Sequence, residues 1–383
     1  MSRAIASLAV RQKHNLSIRR FCFVTETDHG SQRVGGAAIN DSKMIRCLAK
    51  FGDVDVVFLQ KEKYGGLLLS LFVFAFSVLT SLRKSYTAYF SKSFVASAML
   101  LLLRGFWPKK VRVVHQAYSV PFPTSEIAYL KTNRFERLLR YHLGRFLEEV
   151  VYSKADIVTV AAGGYAKDLI GQGVGKDRIA IVAFYVEDEF FKQPIKKEPG
   201  EVFTYCYSGN FHPYHDLSTL VQAFELTIQS EPNVRLLLIG DGLSRPEIEN
   251  EVYKRKLGGK TTFKGRVQHK ALPLHLSEAD CFVSLLRTPG LSISLLEAAA
   301  AGKAILTYKR KGDTAVEEYF RPQKEIYMVN SNSPAEIADA MKVLLRNSKL
   351  RYALASGARK VALQYFSDAS TTRQLHELLH RLI

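Results

Sequence analysis

Cysteine is scarce in this chain. Cys22, Cys47, Cys206 and Cys281 are the only four in 383 residues. They are too far apart to pair as zinc ligands, and three sit in apolar, strand-like runs. The expectation is therefore buried free thiols in a reducing compartment and no metal site. Negative charge is also short: 54 Lys and Arg face 36 Asp and Glu, for a formal net charge of +18. No acidic residue precedes Glu26, and residues 1–18 read as a disordered basic leader rather than a transit peptide. There is no helix-turn-helix, zinc-finger spacing or aromatic ribonucleoprotein motif, which argues against nucleic acid as a partner. No internal repeat is visible beyond two similar α/β halves.

Hydrophobic residues make up 47% of the chain, which excludes a largely disordered protein, and the length suits two domains. The positive charge is uneven, with 28 Lys and Arg against 16 Asp and Glu in residues 1–195. That half should attract an anionic partner, either a membrane surface or a phosphate-linked lipid. Two stretches fit this. Residues 64–82 carry no charge and are long enough to be a spanning candidate. Strand-like runs on both sides of them favour a helix packed on a sheet or dipping partly into a membrane surface. Residues 133–152 read as a basic amphipathic helix, with Arg134, Arg137, Arg140 and Arg145 among leucines; a plain solvated face is the alternative. The resulting location is cytoplasmic, peripheral on the inner membrane face.

In chain order, an apolar strand at 21–25, a loop with Gly30, Gly35 and Gly36, a helix over 37–51 and a strand at 54–59 form a β-α-β opening. A strand at 111–115 ends on His115, and runs at 155–160 and 178–184 finish the first sheet. The charged stretch 192–201, which contains Pro199, reads as a linker. A strand at 202–207 then meets a loop over 208–215 and a helix capped by Asp216.

The centre of the chain is residues 289–303, PGLSISLLEAAAAGK. Ser292 offers an N-cap and Gly302 a C-terminal stop, between strand-like runs at 281–285 and 304–307. The helix therefore starts at the carboxyl end of a parallel strand, where its free N–H groups suit a phosphate. Glu297 is the one acid in it. It either faces solvent or accepts hydrogen bonds from a ligand such as a pair of ribose hydroxyls.

SLLEAAAAGKAIL resembles the donor-site helix of the retaining glycosyltransferases of family four (glycosyl transferases group 1). The resemblance is specific over 202–317 and diffuse before it. It implies an α/β, GT-B architecture: two Rossmann-like domains, 19–191 and 202–366, facing across a cleft, with residues 367–383 crossing back onto the first. It also implies a nucleotide-sugar donor (a UDP- or GDP-sugar), a glycan or lipid-linked acceptor, no tightly bound cofactor, and transfer with retention.

By the same resemblance, Gly35 and Gly36 let the backbone approach the donor diphosphate and the acceptor, His115 lies near the donor sugar, and Gly209 belongs to the diphosphate-binding loop. Arg266 and Val267 read the base, Gly290, Leu291, Ser292 and Ile293 supply backbone amides, and Glu297 holds the ribose. Gly312 and Glu317 match a further Gly and Glu of the pattern. Three positions depart from it: Pro289 replaces a sugar-binding glutamate, and Asn210 and His215 replace an Arg and a Lys on the diphosphate, where with His115 they are the candidate catalytic residues. Arg287, Lys303 and Arg310 are the candidates to replace that charge. A non-catalytic sugar-nucleotide or glycan binding partner and a sugar-nucleotide epimerase are the competing readings.

Overall fold

The computed structural model describes residues 19–25, 36–58, 67–106, 111–117, 134–288, 290–312 and 315–382. Gly35 and Pro289 lie outside them. The first sheet contains β1 (Arg20–Thr25), β2 (Asp53–Phe58), β3 (Ala88–Ser91), β4 (Val113–Ala117), β5 (Ile157–Val160) and β6 (Ile179–Ile181), in the order β2-β1-β3-β4-β5-β6. The second contains β7 (Phe203–Asn210), β8 (Val234–Asp241), β9 (Thr261–Gly265), β10 (Cys281–Ser284), β11 (Ala304–Tyr308) and β12 (Tyr327–Val329), in the order β12-β11-β10-β7-β8-β9. Every paired strand is parallel. Helices on both faces account for the unbroken apolar runs: β1, β3, β4, β5, β10 and β11 are buried along most or all of their length.

Each sheet reverses its strand order once, between β1 and β3 in the first and between β7 and β10 in the second. The loops leaving the carboxyl ends of the strands diverge at such a reversal and open a crevice. The helix Ile293–Ala300 follows β10 and so starts at the second crevice. The helix Asp368–Leu382 crosses back onto the first domain. There Leu375, Leu378, Leu379 and Leu382 pack with Phe21, Phe23 and Val114, and Asp368 pairs with Lys50. This is the GT-B architecture that the sequence implied.

The apolar stretch at 64–82 becomes the helix Leu67–Leu82, which lays Phe74, Val78 and Leu82 into the first domain's core at i, i+4 and i+8. Among the described residues no helix is long and apolar enough to cross a membrane. The four cysteines are free and buried.

Two local expectations change. The strand expected to end at His115 continues through Ala117, which puts His115 mid-strand and fully buried. Asp216 makes no side-chain cap to the helix Leu217–Ile228; it adopts a left-handed conformation (φ 51°) and turns its carboxylate to Arg287 and Asn332. An Asp tolerates that conformation better than most residues, and the two partners hold it there.

The backbones of β7 and β8 approach closely where Gly209 and Gly240 are paired. A Cβ on Gly240, which has φ +131°, would lie 1.9 Å from the Gly209 carbonyl oxygen. Gly240→Ala should therefore cost at least about 2 kcal/mol of stability in urea unfolding. Gly258→Ala, which meets nothing within 4 Å, should stay within about 0.5 kcal/mol. Equal stabilities for the two variants would refute this packing account.

Candidate functional site

The loops after β7 and β10 meet at the second crevice, where the Arg287 amide donates to the Tyr214 carbonyl at 2.7 Å. Gly290 is buried with φ +139°, and an added Cβ would lie 3.1 Å from the Tyr165 hydroxyl of the first domain. Glycine is thus required where the chain turns toward its helix. Leu291 is buried, and Ser292 occupies the N-cap position without a side-chain cap bond; its hydroxyl instead meets Ser294 at 2.8 Å. The amide groups at the start of this helix therefore have no side chain capping them from Ser292.

Glu297 is buried, on the first-domain side of its helix. Its Oε1 lies 2.7 Å from His269 Nε2 and 3.2 Å from Lys43 Nζ. Lys43 comes from the first-domain helix Gly36–Leu48, which Gly36 opens, and also pairs with Glu187 at 2.8 Å. Glu187 in turn takes Arg46 at 3.0 Å and lies 3.6 Å from His269 Nδ1. Burial alone would raise the Glu297 pKa, but the Lys43 charge and the His269 hydrogen bond outweigh it and hold the carboxyl below its ordinary range. Glu187, His269 and Glu297 present ligand atoms within 4.8 Å of one another, a spacing a metal ion could use, but the Lys43 ammonium already contacts both carboxylates.

Arg266 and Val267 directly follow β9, with Val267 packed on the core and Arg266 exposed, 3.6 Å from Asp241. The same loop delivers His269, so the proposed base-reading backbone and Glu297 are neighbours. Gly209 is the penultimate residue of β7, with φ +150°, and Asn210 ends the strand exposed. His215 packs against Tyr207 and Tyr214. Burial, with His212 adding to it, pushes its pKa down to about 4, so it carries no charge at neutral pH.

Each of the three candidate replacement cations already has a protein partner. Arg287 pairs with Asp216 at 2.9 Å. Arg310 donates to the carbonyls of Leu286 and Gly290, at 3.2 and 2.7 Å, and so shapes the turn. Lys303 is buried at the opposite, amino-terminal end of the strands, where it donates to the Ala279 carbonyl at 3.0 Å. Gly312 follows β11 with φ +77°, and Glu317 pairs with Lys309 at 3.4 Å.

His115 is not brought to this site. It lies in the first-domain core, with Nδ1 2.9 Å from Ser97 Oγ and its ring against Phe94 and Tyr152. Burial pushes its pKa down to about 3. Sequence reasoning missed Lys43, Glu187 and His269. Only His269 carried a signal, standing two residues after Val267. It also missed Glu318, which accepts from the Gly163 and Gly164 amides across the cleft at 2.6 and 2.9 Å.

Residues 187–361 match the family described as Glycosyl transferases group 1. An uncharacterized glycosyltransferase of Methanocaldococcus jannaschii is 20% identical over 284 residues, covering 72% of this chain and 69% of that protein. The D-inositol 3-phosphate glycosyltransferase of Jonesia denitrificans is 24% identical over 176 residues, 44% of this chain and 41% of that protein. Among solved structures, sucrose-phosphate synthase from Thermosynechococcus elongatus superposes with a TM-score of 0.78 at 18% identity, covering 95% of this chain and 99% of that one. HepE of Anabaena in complex with UDP-glucose gives 0.72 at 15%, covering 94% and 99%. These structural likenesses establish the fold.

The burial of His115 and His215 is testable by pH. Between the ordinary histidine pKa of 6.5 and about 4, the unfolded chain takes up a proton that folded His215 refuses, so His215 makes stability fall as pH drops through that window. The imidazole NMR signals of His115 and His215 should stay in the neutral form at pH 5. A midpoint near 6.5 for either would contradict its burial.

Proposed function

We propose that this protein transfers a sugar from a UDP- or GDP-sugar to a glycan or phosphate-linked lipid acceptor, with retention of anomeric configuration. The observation that carries the reading is Glu297. It is a buried carboxylate one turn into a helix whose amino end opens on a strand-order reversal, beside the loop after β9, within the region matched to the glycosyltransferase family. In this reading Glu297 accepts from the ribose, the amides at Leu291 to Ile293 take the diphosphate, and the backbone at Arg266 and Val267 reads the base. Gly35, Gly36 and Gly209 let backbone approach the phosphates. Asn210 and the neutral His215 contribute hydrogen bonds only. His115 acts through packing. The first domain holds the acceptor. Closure expels water, which strengthens the polar contacts to the phosphates and favours transfer over hydrolysis. Retention is assigned by resemblance to the family, through attack on the face from which the leaving group departs.

A thermal-shift screen with UDP, GDP, ADP and dTDP and their sugars tests the donor site, since a ligand bound only by the folded state raises the melting temperature. Glu297→Ala should weaken binding of the responding nucleotide by about 2 kcal/mol in calorimetry. Unchanged affinity would remove the ribose assignment. The departures at Pro289, Asn210 and His215 also support a second reading, a non-catalytic sugar-nucleotide or glycan binding partner of an active transferase. Turnover separates the two.

We place the protein on the cytoplasmic face of an anionic membrane. Phe76, Leu102, Leu143 and Phe146 are each more than half exposed. They sit on the helices Leu67–Leu82, Phe94–Leu103 and Arg134–Lys154, the middle one packing on both others, in the half of the chain that carries most of the net charge. Leu143→Ser with Phe146→Ser should reduce sedimentation with phosphatidylglycerol vesicles at low salt. Wild-type protein left wholly in the supernatant would refute the placement.

A further inference from the structure

At the two positions where the resemblance expects an Arg and a Lys on the diphosphate, this chain offers no fixed positive charge. Asn210 is uncharged and His215 is kept neutral by burial, while Arg287, Arg310 and Lys303 are held by Asp216, by loop carbonyls and at the far end of the strands. A leaving diphosphate without a cation beside it is a poor leaving group. The first domain, however, inserts Lys43 against the donor helix, with its side chain 2% exposed and its ammonium 3.2 Å from Glu297.

We propose that Lys43 is the cation for the donor diphosphate, held on Glu297 and Glu187 in the free protein and passed to the phosphates when ribose takes its place on Glu297. This rests on the donor-site reading above.

The reach is adequate. Glu297 is four to six residues beyond the amides of Leu291 to Ile293, or roughly 6 to 9 Å along a helical rise. A lysine side chain on a facing helix can cover much of that by rotamer change. Each carboxylate also keeps a partner. When Lys43 leaves, Glu187 keeps Arg46 at 3.0 Å and has His269 at 3.6 Å, and Glu297 keeps His269 at 2.7 Å and gains the ribose hydroxyls. No buried carboxylate is left alone, which is the outcome that would make the exchange costly.

The test compares UDP with uridine, and GDP with guanosine, by calorimetry on wild type, Lys43→Met and Lys43→Arg, each checked for cooperative unfolding. Lys43→Met should lose roughly tenfold or more in affinity for the diphosphate while nucleoside affinity holds or rises, and Lys43→Arg should keep most of the diphosphate preference. An equal change for diphosphate and nucleoside in Lys43→Met would make Lys43 a structural bridge only and overturn the proposal. If wild type binds a diphosphate but Lys43→Met does not fold, a crystal structure of the wild-type UDP or GDP complex decides. Lys43 Nζ within hydrogen-bond distance of a phosphate oxygen supports the exchange, and Lys43 still on Glu297 ends it. If wild type binds neither diphosphate, the donor-site reading fails and the proposal falls with it.

Discussion

The contact on which the cleft depends is the ion cluster of Lys43, Arg46, Glu187, His269 and Glu297. It joins four separate stretches: the first helix of the first domain, the residues leading into Asp188–Phe191, the loop after β9 and the helix after β10. Removing charges from water is expensive, and a buried cluster is tolerated only where each charge is matched and hydrogen-bonded. Here each carboxylate has a cation and the histidine within reach. The arrangement therefore fixes how the two domains face each other around Glu297 as well as holding them together.

Other contacts across the cleft act in the same direction. Glu318 accepts from two first-domain amides at the start of the helix Gly163–Gly171, and the Tyr319 hydroxyl donates to the Ala161 carbonyl at 2.7 Å. Within the first domain, Asp41 ties the helix bearing Lys43 to the crevice between β1 and β3: Thr25 donates to it at 2.6 Å and Lys92 pairs with it at 2.7 Å. That internal anchor sets where Lys43 can reach. The crossing helix adds a further tie, since Gln374 accepts from the Ala183 amide at 2.7 Å.

The fold was largely legible because both sheets are parallel and buried on two faces. Such strands read as short apolar runs followed by turn glycines, and each run at 21–25, 155–160, 202–207, 281–285 and 304–307 overlaps an observed strand. The helix Ile293–Ala300 was legible from Ser292 before it and Gly302 after it. His115 misled because the expected strand end fell two residues early, and a mid-strand histidine belongs to the core. Asp216 misled because a cap and a left-handed turn use the same residue type. Lys43 and Glu187 were not legible at all: they are 144 residues apart in sequence, and Lys43 meets Glu297 only across the two domains. The polar pairs that matter to this site lie across domains, where periodicity gives no information.

The most direct test of the account is turnover. Purified protein incubated with a panel of nucleotide sugars, with and without saccharide acceptors, can be followed by proton NMR for release of the nucleoside diphosphate and for the anomeric coupling of the product. The account predicts release from at least one nucleotide sugar, faster with an acceptor, and a product with the donor's anomeric configuration. Binding of a nucleotide sugar without any turnover would contradict it and leave the protein as a partner that holds the donor without transferring it.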